Sequence, residues 1–324
     1  MIVNPLGNMH VSEDTVSELE RAILSNPSIG AAYGNRLLWR LLGAGVWRLY
    51  QYVSPRASAL LCVLFSLRLM DAYLAVLMGP QFRKCAPYFA FAKRRYVYLF
   101  DAWPKLHRMI CECVRVLGID ILFVSSSQAA RRLDPIGRCR VHWIPEGIDP
   151  AEYSHSPYQE KHIDVLEFGR KYEACHHSLR VSMEAARRVH LYQKRQGELV
   201  FPDRQSFVHG LAHSKISVCF PCSLTDPERA GDIETMTVRY LQSMVSKCLI
   251  VGHAPAEMLT LFNYNPVVEL DMRNPAHHLR HLLDHYLDFV PLIERNYRTV
   301  LENHTWSHRW EEMRQLMLVH NRNH

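Results

Sequence analysis

Residues 216–252 read ISVCFPCSLTDPERAGDIETMTVRYLQSMVSKCLIVG. An apolar run at 216–220 precedes a polar loop. Asp232 and Glu234 lead into an amphipathic segment whose first turn is expected to hold Thr235 and Thr237, and a second apolar run closes at Gly252. Strand, loop, helix and strand make the unit from which parallel sheets are wound. The carboxylate of Glu234 therefore stands just before a helix start. A helix N-terminus offers unpaired N–H groups and the positive end of a dipole, which suits a phosphate. A carboxylate beside it can accept hydrogen bonds from hydroxyls. Together they read as a place for a sugar joined to a phosphate.

The flanking sequence repeats the alternation. A strand is expected at 163–168, followed directly by Gly169-Arg170-Lys171. A helix over 178–194, a strand at 198–201, a helix over 204–213 and a strand at 267–270 complete that half. In the first half, residues 12–25 predict a helix with Ser12 as N-cap and Glu13 and Asp14 in its first turn. An amphipathic stretch covers 36–50, and 59–65 reads as a strand. RYVYLF at 95–100 is a clearer strand, ending at Asp101-Ala102-Trp103-Pro104. A helix over 105–117 closes at Gly118. Strands follow at 119–124 and 139–144, with Ser125–Ser127 capping the helix between them. Pro145-Glu146-Gly147-Ile148-Asp149-Pro150 is the best boundary in the chain. The carboxyl end of a parallel strand is where open α/β sheets bind ligands. That places Arg170, Lys171 and Asp101 where chemistry is expected.

Composition narrows the choice. The 324 residues are 48% hydrophobic and 22% charged, ordinary for a folded chain of one large core or two medium ones. A formal charge of +6 fits an anionic ligand or membrane surface. No basic run is interleaved with aromatics, so no nucleic-acid partner is expected. The apolar window at 57–79 is interrupted by Arg68 and Asp71, which predicts a buried strand-plus-helix pair rather than a membrane span. The start of the chain lacks the apolar core of a signal peptide. Nine scattered cysteines then read as reduced thiols in a cytoplasm. Cys219 and Cys222 have zinc-ligand spacing but no second pair, and Cys175-His176-His177 stands apart from them. The histidines at 277, 278, 281 and 285 show no HExxH pattern and read as surface residues. No metal site is expected. The glycine-rich signatures of nicotinamide enzymes and P-loop ATPases are missing.

Four segments carry a family resemblance: WIPEGID (143–149), VLEFGRK (165–171), DIETMTVRYLQSM (232–244) and TWSHRWEEM (305–313). They resemble the GT-B glycosyltransferases, and among these the retaining group 1 (family 4-like) enzymes that use nucleotide-activated sugars. The resemblance is best over 96–252. It implies an α/β fold of two Rossmann-like, doubly wound domains facing a cleft. Residues 1–147 would form the acceptor-side domain and 148–300 the nucleotide-sugar domain, with a helix in 301–324 packing back on the first. It implies Gly169, Arg170 and Lys171 against the donor diphosphate. The backbone near Thr235, Met236 and Thr237 would face the same group, and Glu234 would lie beside the donor sugar. The family has a second Glu, seven residues after the first, which holds the ribose; here that position is Gln242. Arg239 could reach the phosphate or pair with Glu234 or Asp232. Asp101 could orient the acceptor hydroxyl or act as base, or it could cap the following helix, with Pro104 in that helix's first turn. Glu146 could line the hinge or be solvated.

The implied activity is transfer of a sugar from a nucleoside-diphosphate sugar to a hydroxyl of a glycan or lipid-linked acceptor, in polysaccharide or glycan biosynthesis. Neither metal nor other cofactor is needed. Peripheral contact with the inner face of an anionic membrane would suit the basic charge and the 58–79 region. Two alternatives stand beside it: an inactive protein that binds a nucleotide-sugar or glycan, favoured by Gln242, and a nucleotide-sugar epimerase on the same architecture.

Overall fold

The computed structural model describes residues 2–3, 14–30, 70–90, 92–195 and 198–322. The expected stretch at 36–50, the strand at 59–65 and the cap at Ser12 and Glu13 lie outside these residues. The chain divides into two compact units, Met1–Pro145 with Arg309–His324, and Glu146–His308.

Unit 1 holds a parallel sheet in the order β1 (Ile2–Val3), β2 (Met70–Met78), β3 (Ala92–Phe100), β4 (Ile121–Val124) and β5 (Arg140–Trp143). Its helices are α1 (Asp14–Leu24), α2 (Ala86–Ala90), α3 (His107–Leu117) and α4 (Ser127–Leu133). Residues 95–100 of β3 are buried on both faces, as a strand covered by helices requires, so RYVYLF does not alternate. Gly118 closes α3 in the left-handed region (φ +61°), and the Ser126 hydroxyl caps α4 by accepting from Ala129 N. The end of the apolar window is β2, with Asp71 near its exposed start in a surface pair with Lys93 at 2.8 Å.

Unit 2 holds a second parallel sheet. Its strands are β6 (Ile163–Glu167), β7 (His190–Tyr192), β8 (Ser214–Cys219), β9 (Leu249–Gly252) and β10 (Val268–Glu269), in the order β10-β9-β8-β6-β7. From β6 the chain steps to β7 at one edge. It then returns to β8 on the other side of β6 and steps away through β9 and β10. The connections therefore diverge between β6 and β8. The helices are α5 (Glu173–Ala185), α6 (Arg204–Ala212), α7 (Cys222–Thr225), α8 (Pro227–Ala230), α9 (Val238–Val245), α10 (Ala256–Phe262), α11 (Pro275–Asp284) and α12 (Val290–Asn303). A final helix, α13 (Trp306–Arg322), starts in unit 2 and continues into unit 1.

The period-two strand pattern sorts side chains into two cores. Leu249 and Val251 join Leu179, Met183, Leu279 and Ile293 on one face, while Ile250 joins Tyr240, Met244, Met258 and Val300 on the other. Each such buried aliphatic side chain contributes roughly 1.5–3 kcal/mol. The linker packs closely too. A Cβ on Gly147 would lie 2.9 Å from Trp306 N, so only glycine fits, and Ile148 exchanges backbone hydrogen bonds with His304 and Trp306.

The expected strand at 198–201 and the end of the helix before it both differ from expectation. Residues 198–201 form no strand, and the edge strand is β7, inside the stretch expected to end a helix. The helix stops at Ala185 because Arg187 turns left-handed (φ +53°) and Arg188 N bonds back to Met183 O at 2.9 Å. The Asp164 carboxylate then accepts from Val189 N at 3.0 Å and holds the start of the new strand.

The carboxylate of Glu294 on α12 accepts from Tyr158 Oη at 2.6 Å and Lys247 Nζ at 2.8 Å. Burial raises its pKa, but these two donors outweigh burial and hold it below the ordinary glutamate value. A carboxyl depressed in the folded state contributes stability above its unfolded pKa and loses it as pH falls through the folded one. The urea-midpoint gap between wild type and Glu294→Gln should therefore be full near neutrality and close as pH falls below the ordinary glutamate value. A gap that stays constant over that range would contradict this linkage.

Candidate functional site

The connections diverge between β6 and β8, and in open α/β sheets the carboxyl edge at such a point is where ligands are received. Phe168-Gly169-Arg170-Lys171 leaves β6 there, and Phe220-Pro221-Cys222 leaves β8. Gly169 takes φ +77°, and a Cβ on it would stand 3.2 Å from Arg239 Nη1. The Arg239 guanidinium, from the first turn of α9, fills the space that the glycine leaves. It donates Nη1 to Phe168 O (3.2 Å) and Arg170 O (3.4 Å), and Nη2 to Phe220 O (3.1 Å). Its hydrogen bonds thus tie the two loops together instead of going to Glu234 or Asp232. Arg170 keeps a half-exposed side chain, with Nε 3.3 Å from Asp226 Oδ2 and Nη1 donating to Cys222 Sγ at 3.6 Å. Lys171 Nζ lies 3.7 Å from Glu173 and 5.6 Å from the centre of the Tyr192 ring.

The helix start differs from the expectation. α9 begins at Val238 with Thr237 as its N-cap, so Thr235 and Met236 belong to the preceding loop. Thr235 Oγ1 and Met236 N both donate to Glu257 Oε1, at 2.7 and 2.6 Å. Val238 N donates to Glu146 Oε2 at 2.6 Å. Two buried carboxylates therefore occupy positions that a bound anion was expected to take, and Glu146 is a helix cap rather than a solvated linker acid. Thr235 and Met236 are buried and face this internal network, not a diphosphate. Gln242 is also corrected. Its side chain is buried and its amide donates to Tyr153 Oη at 3.0 Å, so it is not presented to a ribose. What this edge leaves unsatisfied is the Thr237 hydroxyl, which is buried with no hydrogen-bond partner, as is that of Ser223 in α7. An unpaired buried hydroxyl costs about 1–3 kcal/mol, which a bound acceptor would recover.

Glu234 stands in the loop before Thr237 with a third of its side chain exposed. His253, the residue after β9, lies between two acids: Nε2 is 3.6 Å from Glu234 Oε1 and Nδ1 is 2.9 Å from Glu269 Oε2. Glu269, ending β10, also accepts from Ala254 N, and Tyr240 Oη donates to His253 O. Sequence reasoning missed His253 and Glu269. Their signal was position alone, since each ends or follows a strand at the carboxyl edge.

In unit 1, Asp101, the residue after β3, takes the left-handed region (φ +53°), uncommon outside glycine and a mark of positions held by their surroundings. The turn at Pro104–Leu106 has Trp103, not Asp101, at its N-cap position. The zinc-spaced Cys219 and Cys222 are buried, and burial pushes both thiols up, away from the thiolate a metal requires. Metal-type donors converge instead at Glu167, His176 and His190.

The sequence matches no family model and no curated protein. Solved structures do match over nearly the whole chain. HepE of Anabaena, in complex with UDP-glucose, shares 11% identity at a TM-score of 0.61, covering 98% of each chain. Sucrose-phosphate synthase of Thermosynechococcus elongatus shares 10% identity at 0.60, over 98% of this chain and 97% of that one. A glycosyltransferase of Rickettsia africae shares 12% identity at 0.58, over 100% and 98%. The chain has the GT-B fold. Rossmann-like parallel sheets in each unit are what that fold consists of, as the resemblance implied.

Arg239→Met keeps the aliphatic stem of the side chain but leaves the loop carbonyls without their donor. Chemical denaturation should register a loss of roughly 1–3 kcal/mol. An unchanged midpoint would mean that the guanidinium does not hold the loops.

Proposed function

We propose that this protein is a glycosyltransferase that moves a sugar from a nucleoside-diphosphate sugar to an acceptor hydroxyl, with retention of configuration. The observation that carries the reading is the edge between β6 and β8. There the left-handed Gly169 turn, which carries Arg170 and Lys171, is held by Arg239 from the first turn of α9, whose N-cap Thr237 has a buried, unpaired hydroxyl. Support comes from HepE, which has the same fold and was solved with UDP-glucose. The diphosphate is assigned to the Gly169 turn, Arg170, Lys171 and the Thr237 hydroxyl. Negative charge builds on the leaving nucleoside diphosphate as the glycosidic bond breaks, and a fixed guanidinium compensates it without reorganising. That assignment needs no cation cofactor. Glu234 is assigned to the sugar hydroxyls, with His253 and Glu269 orienting it. Asp101 in unit 1 is assigned to the acceptor hydroxyl. A hexose donor, a glycan or lipid-linked acceptor, and peripheral contact with an anionic membrane complete the reading. The net charge of +6 favours that contact, and among the described residues no helix is long and apolar enough to cross a membrane.

One observation favours a second reading, a binding protein without turnover: Gln242 is turned inward, and Glu146 and Glu257 already hold the Val238 and Met236 amides. A panel of nucleoside diphosphates, scored by thermal stabilisation, followed by transfer assays with the matching sugar donors, separates the two. Binding with turnover is expected. Binding with no transfer and no donor hydrolysis selects the second reading, and no binding removes both.

Two substitutions sharpen this. Glu234→Ala should lower kcat by about a hundredfold or more with the fold intact, and full turnover would discard the assignment. Thr237→Val removes an unsatisfied hydroxyl while keeping its shape. It should leave the ligand-free melting temperature unchanged or raised and weaken nucleotide binding about tenfold, or ~1.4 kcal/mol. Equal affinity in calorimetry would show that the hydroxyl meets no ligand.

A further inference from the structure

Glu167 is the last residue of β6, His176 lies in the first turn of α5, and His190 opens β7. All three side chains are at least nine-tenths buried. His176 Nδ1 and His190 Nε2 both stand 2.8 Å from the same carboxylate oxygen, Glu167 Oε1. Burial raises the Glu167 carboxyl, but the two imidazole donors outweigh it and hold it below the usual range. The outer nitrogen of His190 is buried without a hydrogen-bond partner, so its one hydrogen bond is the inward contact. The Tyr192 ring packs 4.9 Å from each imidazole. Cys175 is next in sequence but is not among the converging donors, and its thiol donates instead to Tyr172 O at 3.5 Å.

We propose that Glu167, His176 and His190 form a structural zinc site. The three donor atoms all lie within 4.8 Å of one another. Zinc bonds of about 2.0–2.2 Å in a tetrahedron set donors roughly 3.3–3.5 Å apart. Opening each 2.8 Å contact by about half an ångström, and bringing the two imidazole nitrogens to that same spacing from within 4.8 Å, admits the ion, with water as fourth ligand. Two imidazoles and one carboxylate suit zinc, whereas calcium and magnesium take all-oxygen shells. On binding, each inward N–H gives way to a lone pair, and the proton of each neutral ring sits on its outer nitrogen. The ion would join the end of β6, the start of α5 and the edge strand β7. These flank the Gly169–Lys171 turn, and Lys171 lies over Tyr192. The role is to brace that turn, not to react. The inference does not depend on the sugar-transfer reading, and its test uses no donor.

The test titrates the chelator-stripped 324-residue protein with zinc chloride by calorimetry at neutral pH. One tight equivalent is expected, with a melting temperature raised by roughly 5 °C at excess zinc. His190→Ala and Glu167→Gln should lose both effects, and His281→Ala with His285→Ala should keep them. Should the buried variants fail to fold, X-ray absorption of the zinc-loaded wild type decides, with two imidazoles and oxygen around the ion expected. Absence of a stoichiometric equivalent, binding retained in folded His190→Ala, or a shell without two imidazoles would each overturn the site.

Discussion

The Arg239 guanidinium is the contact on which the second unit's working edge depends. Parallel strands that diverge leave two loops with outward-facing carbonyls and no ladder partners. One planar group with five donors satisfies carbonyls from both loops and fixes their spacing. Gly169 is required because the same guanidinium fills the space where a side chain would start. The turn that presents Arg170 is thus shaped from beneath by a residue on the following helix.

The acids around α9 divide the work of its N-terminus. A helix start attracts negative charge whatever its source. Here the chain supplies its own through Glu146 and Glu257, each within 2.6 Å of an amide. Both are buried, and a buried carboxylate must be paired with donors. That requirement outweighs the attraction of an external anion at those amides. In the proposed reading, what remains for a ligand is the Thr237 hydroxyl, the Gly169 turn and the two cations of the β6 loop.

Legibility followed the range of the interaction. The strand at 95–100 was readable because burial on both faces leaves a mostly apolar run that survives in sequence. β7 was not, because three residues at an edge carry too little pattern and its place depends on Arg187 and Asp164. Glu234 was identified from its spacing to a helix start, but the start lay later than read, since Thr235 and Met236 are drawn to Glu257, more than twenty residues on. His253 and Glu269 became candidates only once β9 and β10 lay side by side. Glu167, His176 and His190 carry no recognisable spacing, since three separate elements bring them together.

The amino-acid sequence alone determined the alternation of strand and helix, the turn-rich boundary at 145–150 and the GT-B class, because these rest on local apolar period and on short motifs. Which polar groups are spent inside the protein was decided only by tertiary structure. A carboxylate or amide looks the same in sequence whether it meets solvent or a buried partner, and the partners of Glu257, Gln242, Arg239 and Glu167 come from distant stretches of chain.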